Sequence, residues 1–265
     1  MRLPPAPVSA LLSALLLAAC SGGGSPDDAG GGAQAASSPA PATARTVKEA
    51  NDLYSFAYSY PAQAGAIPAL KTWLDADLDK AKSELANEAK DARDDAERQG
   101  YPFRPYDRTE HWKVVASLPG WLSLSGETYA FTGGAHGMTG FETLLWDKAA
   151  DTRRKPIDLF VSEDALRGAI RKDFCAQLDK QRIERRQGHT IGGGISEFVQ
   201  CIDPLRQTLV LGSSNGKTFD RIDILIAPYA AGPYAEGTYD VAVPVTDAVL
   251  RAVKPAWREY FANGG

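Results

Sequence analysis

A single histidine stands inside a glycine cluster at residues 132–137, TGGAHG, between two strand-like runs. An imidazole there could act as a base, bind a ligand, or pin a neighbouring strand. Gly133, Gly134 and Gly137 permit positive φ and close backbone approach, so His136 is expected on a sharp turn. The second stretch of interest is APYAAGPYAEG, residues 227–237, with Tyr229, Tyr234 and Glu236. Aromatics mixed with glycine suit a recognition surface and equally a tight sheet corner. Nothing beside His136 supplies a catalytic partner. There is no G-x-S-x-G nucleophile elbow, and no histidines stand at zinc-ligand spacing. GSSNGKT, residues 212–218, has three residues between its glycines where a phosphate loop has four, and reads as a hairpin turn. IGGGIS, residues 191–196, lacks the strand-then-helix setting of a dinucleotide site. Carboxylates are plentiful, so a glycosidase-like pair stays open, but no spacing selects one. The residues therefore predict no catalytic set, no metal site and no cofactor. They nominate Gly133, Gly134, His136, Tyr229, Tyr234 and Glu236 for binding, with a wall-polysaccharide hydrolase using carboxylates or His136 as the alternative.

Alternation in LYSFAYSYP, with Phe56, Tyr58 and Tyr60 on one face, predicts a strand that Pro61 stops. A long helix follows. Ile67, Leu70, Leu74, Leu78, Ala81, Leu85, Ala89 and Ala92 recur at helical spacing until Gly100 and Pro102. HWKVVASL and WLSLSGETYAF read as strands around a Pro119-Gly120 turn, MTGFETLLWD as a third, and KAADTRRKP as a polar turn. Ser162 is a plausible N-cap for a helix burying Leu166, Ile170, Phe174 and Leu178. A hairpin through Asn215-Gly216, the strand GTYDVAVPV and a last helix broken at Pro255 complete the chain. Runs of strands with helices around them predict an α+β fold, a mostly antiparallel sheet with helices packed on it.

The N-terminal segment sets the compartment. Residues 1–19 read as a secretory signal, with Arg2 and an apolar run too short to span a bilayer. They end in LAAC, which resembles the bacterial lipobox and predicts lipidation at Cys20. Ser21 after the cysteine resembles the pattern sorted to the outer membrane in Gram-negative cells. The Gly-, Ala-, Ser- and Pro-rich stretch up to residue 45 reads as a disordered tether. The expected location is therefore the cell envelope, lipid-anchored in the membrane and facing the periplasm if the cell is Gram-negative. Loss of Arg2 leaves 28 basic against 33 acidic residues, a net charge of about −5. That argues against nucleic acid and mildly favours a basic partner. Two cysteines remain, Cys175 and Cys201, and an oxidising compartment suggests that they pair. Closing their loop is worth about 3 kcal/mol in the chain-entropy picture.

Three features carry a family resemblance: the GGAHG turn, the turn leading into Asp158, Leu159 and Phe160, and the APYA segment with its following glycine. Residues 110–255 resemble a bacterial domain of unknown function that forms the C-terminal half of the ectodomain of the lysozyme-sensing anti-sigma factor RsiV. The same domain accompanies the peptidoglycan deacetylase PdaC. Residues 46–105 resemble the companion N-terminal domain of those proteins. The resemblance implies a division into residues 46–109 and 110–265, an extracytoplasmic α+β module, and lysozyme-like proteins or peptidoglycan as partners. No transmembrane helix and no polysaccharide deacetylase domain is read here, so signalling to a sigma factor and deacetylation are not carried over.

Overall fold

The computed structural model describes residues 43–189 and 195–264. The signal segment, Cys20, the tether up to residue 42 and the glycines at 192–194 lie outside the described residues. Six strands form one sheet in chain order: β1 (Arg45–Ala50), β2 (Tyr54–Tyr60), β3 (Tyr106–Ser117), β4 (Trp121–Phe131), β5 (Met138–Asp147) and β6 (Thr152–Arg154). Every neighbouring pair is antiparallel except β2 and β3. A parallel pair needs a crossover. It is made here by the short helix α1 (Ala62–Gly65) and the long α2 (Pro68–Gln99). Pro68 opens α2, and Gly100 ends it in the left-handed conformation with φ +73°. The expected division between residues 109 and 110 falls inside β3, whose partner β2 lies on the other side of it.

Period-two alternation sorts the strand side chains between two cores. Tyr54, Phe56, Tyr58, Tyr60, Trp112, Leu122, Leu124, Leu144 and Trp146 pack with Leu70, Leu74, Leu78, Ala81, Leu85 and Ala89 of α2. The residues between them, Trp121 and Leu145, face a second core. That core is built on α3 (Glu163–Arg185) and a three-stranded antiparallel sheet of β7 (Thr208–Gly212), β8 (Arg221–Ile226) and β9 (Tyr239–Pro244). It also includes α4 (Asp247–Ala252) and a 3₁₀ turn from Pro255 to Tyr260. The fold is thus α+β with mostly antiparallel sheets and helices packed against them. Ser162 caps α3 by accepting from the Ala165 amide at 3.1 Å, and Leu166, Ile170, Phe174 and Leu178 are all buried. Pro255 divides the last helical segment as its missing N–H requires. Leu159 and Phe160 are buried, and Asp158 closes the turn before them by accepting from the Lys155 amide at 3.1 Å.

Candidate functional site

The TGGAHG turn joins β4 to β5. Gly133 and Gly134 take φ +92° and +83°, a region that side chains with a Cβ rarely adopt. Arg104 clamps the turn from outside, donating to the Gly134 carbonyl at 2.9 Å while its guanidinium lies 5.4 Å from the Phe131 ring centre. Gly137 is needed for a different reason: a Cβ there would stand 2.4 Å from the Tyr129 ring and 2.7 Å from the Ala130 carbonyl. The turn presents His136 to solvent.

His136 meets both tyrosines of the second loop. Its ring stacks on Tyr234 with centroids 3.8 Å apart and planes at 19°, and Tyr229 lies 6.1 Å from His136 and 5.6 Å from Tyr234. Both imidazole nitrogens are engaged. Nδ1 sits 3.1 Å from the Gly137 carbonyl, which can only accept, so Nδ1 carries the hydrogen. That leaves Nε2 to accept from the Tyr229 hydroxyl at 3.3 Å. The Tyr234 hydroxyl donates to the same Gly137 carbonyl at 3.0 Å. Tyr229 holds φ +69° without being glycine and keeps 46% of its surface exposed. An aromatic ring held outward on an unfavourable backbone angle is the kind of local strain that clusters at binding sites.

The loop that carries the tyrosines is fastened from behind by the last turns of α3. Arg182 is 2% exposed and spends its guanidinium mainly on carbonyls, Ala231 at 3.0 and 2.8 Å, Gln200 at 2.9 Å and Glu197 at 2.6 Å, with the Asp179 carboxylate at 3.2 Å besides. Arg185 donates to the Glu236 and Thr238 carbonyls and lies over the Tyr239 ring, 3.9 Å from its centre. Arg186 binds the Glu236 carboxylate through two bonds, 2.8 and 3.0 Å, and the Tyr239 hydroxyl donates to the same carboxylate. Burial works to raise the Glu236 carboxyl, but the bonds from Arg186 and Tyr239 outweigh it and hold it below the usual range. Glu236 therefore secures the loop through Arg186 and Tyr239, while the ring cluster is made by His136, Tyr229 and Tyr234. Sequence reasoning missed the arginines. Their signal was available in QRIERR, donors gathered where a helix ends and a glycine-rich loop must be held. Cys175 and Cys201 form a disulfide with Cα atoms 5.4 Å apart, tying α3 to the segment whose Gln200 carbonyl Arg182 holds.

A second polar cluster lies in the other core. Glu110 is 1% exposed, and its carboxyl accepts from Trp112 Nε1 at 3.0 Å. The same indole nitrogen reaches the Tyr58 hydroxyl at 3.0 Å, and Tyr58 donates to Asp77 of α2 at 2.9 Å. Burial first, then the Asp77 charge and a hydrogen bond to Asp77, push the Glu110 carboxyl up to about 7; Arg108, 3.3 Å away, only partly opposes them. Among the described residues, no group of three or more His, Cys, Asp or Glu side chains is placed to hold a metal ion. No described helix is long and apolar enough to cross a membrane.

The family model described as Deacetylase PdaC matches residues 47–139, from β1 through the TGGAHG turn into β5. A solved structure of a DUF3298 family protein from Pseudomonas aeruginosa PAO1 is similar over 84% of this chain and 99% of its own, at 15% identity and a TM-score of 0.56. The chain resembles the DUF3298 and PdaC–RsiV-like extracytoplasmic domains. A DUF3298 family member from Bacteroides fragilis NCTC 9343 is similar over 76% of this chain and 89% of its own, at 16% identity and a TM-score of 0.47. No curated protein matches. The family model covers the segment before residue 110 and crosses that boundary. Beyond residue 139 the likeness is one of fold, carried by the Pseudomonas structure.

Proposed function

We propose that this chain is an envelope binding module, lipid-anchored through Cys20, whose recognition face is the ring cluster of His136, Tyr229 and Tyr234. Its partner is a lysozyme-like protein or cell-wall glycan. The observation that carries the reading is Tyr229, exposed on a positive φ and backed by a stacked imidazole and phenol. Such rings offer contact area with little rotamer entropy to lose. The arginine braces behind them favour a surface formed before the partner arrives, which lowers the ordering cost of binding. A lysozyme-like partner is basic, which suits a net charge of about −5 and makes association salt-sensitive.

Hydrolysis by His136 is the weaker reading, because both ring nitrogens are already bonded and no nucleophile accompanies them. The test is calorimetric titration of the whole protein with lysozyme and, separately, with soluble peptidoglycan fragments, at low and moderate salt. Tyr234→Ala is expected to lose most of the affinity with the fold intact. Absence of binding to both ligands at every salt removes the proposal. Fragment cleavage lost in His136→Ala but kept in Tyr234→Ala replaces it with the hydrolase. Anchoring is tested by detergent phase partition: the wild type is expected in the detergent phase with an acyl mass on Cys20, and Cys20→Ala in the aqueous phase.

A further inference from the structure

Strand β1 is the outermost strand of the six-stranded sheet and is paired on one side only, with β2. The direction of its backbone groups follows from the turn that closes this pair. The Asn51 amide donates to the Tyr54 carbonyl at 2.9 Å, continuing the register that sets Ala50 opposite Ser55. Antiparallel pairing alternates, so Arg45, Val47 and Glu49 turn their N–H and C=O groups to β2, and Thr46, Lys48 and Ala50 turn theirs outward. The far side of β2 agrees, since its neighbour Leu53 turns its carbonyl to β3 and accepts from the Tyr106 amide at 2.9 Å. Thr46, Lys48 and Ala50 are all exposed, and among the described residues their outward groups meet no backbone partner.

The side chains of Arg45, Val47 and Glu49 lie on the sheet face that α2 covers. Val47 packs, partly buried, against the core there. Arg45 pairs with Asp75, and Glu49 with Lys82 at 3.1 Å, and all four charges keep part of their surface in solvent. Along the edge the order is therefore cation, apolar, anion. Such an order is its own complement under a two-fold axis. A second β1 laid antiparallel, with Val47 on Val47, brings Arg45 of each copy opposite Glu49 of the other. The same register sets outward Thr46 opposite outward Lys48, which is what a ladder of backbone bonds requires. Hydrogen-bond phase and charge order thus select one register. A shift by two residues sets Lys48 against Lys48 and parts the Arg45 and Glu49 charges. Lysine on an edge strand guards against indiscriminate pairing, and in the selected register no like charge faces it.

We infer that β1 is a self-association edge: two copies of this chain pair antiparallel through β1, centred on Val47, and join their sheets into one. The outward N–H and C=O groups supply the main-chain bonds, and the crossed Arg45 and Glu49 pairs fix the register. The two-fold closes on itself and leaves no β1 edge for a third copy. The edge is separate from the His136 face and does not depend on its ligand.

The test is sedimentation equilibrium of the full chain carrying Cys20→Ala, so that acyl chains cannot drive association. A monomer–dimer equilibrium is expected, with hydrogen exchange at the Thr46, Lys48 and Ala50 amides slowing as concentration rises. Lys48→Pro removes an outward N–H and spares the β2 ladder, and is expected to weaken the dimer about tenfold or more. Arg45→Glu and Glu49→Arg are each expected to abolish self-association by setting like charges opposite. An equimolar mixture of these two variants is expected to restore a dimer, which a merely structural role for either residue would not do. Circular dichroism and the melting temperature check that each variant is folded. A monomer at every concentration up to about millimolar overturns the proposal, as does a dimer of unchanged affinity in Lys48→Pro, or a mixture that stays monomeric. Protection of the three amides that does not vary with concentration also overturns it, since the edge is then covered by the chain's own residues.

Discussion

The two polar clusters of this protein treat their charges and hydroxyls in opposite ways. Around His136 the polar atoms are spent on fixing rings in place, and the rings face water. Around Glu110 the polar atoms are sealed between β3 and α2, and burial sets the protonation of the carboxyl. An exposed cluster whose bonds are all internal has little to gain for folding, because water could serve those groups as well. A sealed cluster bears on folding whether or not it serves anything else. The contrast separates the proposed recognition face from what couples stability to pH, and each substitution below moves one side without the other.

The largest effect is expected at Arg182, the brace behind the solvent-facing loop. Removing its side chain strands the buried Ala231 carbonyl and takes the donor from the part-buried Gln200 and Glu197 carbonyls. Arg182→Ala is expected to cost about 3–5 kcal/mol in denaturant unfolding, the combined loss of charge-assisted bonds to three carbonyls. Arg182→Lys, which reaches fewer acceptors, should fall between. A loss below about 1 kcal/mol means that water replaces the guanidinium and the loop is not braced from α3.

Glu110 comes next, and its sign is fixed. Its carboxyl titrates near 7 in the fold against 4.5 in the open chain, so its favourable contribution is complete below pH 4.5 and is lost as pH rises through about 7. The shift corresponds to about 3 kcal/mol across that window. Glu110→Gln keeps an acceptor for Trp112 and cannot ionise. Unfolding free energies at pH 4.5 and pH 8 are expected to draw together in the variant, mainly by its gain at pH 8. An unchanged pH profile places the titration elsewhere.

The sequence made the exposed cluster legible and hid the sealed one, for physical reasons. TGGAHG announces itself because positive φ demands glycine, and both loops stand in contiguous runs. Helices α2 and α3 were readable from Leu70 to Ala89 and from Leu166 to Leu178, since helical spacing is local. Glu110 and Asp77 are 33 positions apart and meet only because a crossover sets β3 parallel to β2 under α2. No pattern in one strand or one helix contains that pairing. β1 was unread because RTVKEA carries no fully buried side chain, and β6 because three residues are too few for alternation to register. The arginines of α3 look like any basic helix terminus until the carbonyls they hold are known.

A smaller effect is expected in the TGGAHG turn itself. Gly133→Val and Gly134→Val each force a β-branched residue to a positive φ, at about 1–3 kcal/mol. Added Cβ atoms meet nothing within 4 Å at either position, so the cost is one of backbone angle alone. Gly134→Asn, whose side chain tolerates the left-handed region, should recover much of it. If Val and Asn behave alike in thermal melts, the turn has relaxed to an ordinary conformation.

The smallest expected effect is the most discriminating for the exposed cluster. Tyr229 sits at φ +69°, and Tyr229→Ala removes the ring while keeping the disfavoured angle. Tyr229→Gly removes the ring and relieves the angle, yet it adds conformational freedom to the unfolded chain, a cost of about 0.5–1 kcal/mol. If the angle is strained, glycine is the more stable of the two variants by roughly 1 kcal/mol, against its ordinary tendency. Chemical denaturation at neutral pH measures the difference. Both variants are expected to lose affinity for the partner equally, because both lack the phenol that approaches His136 at 3.3 Å. A glycine variant less stable than alanine means that the fold holds Tyr229 outward without strain. The exposed ring is then ordinary surface, and the recognition face rests on Tyr234 and His136 alone.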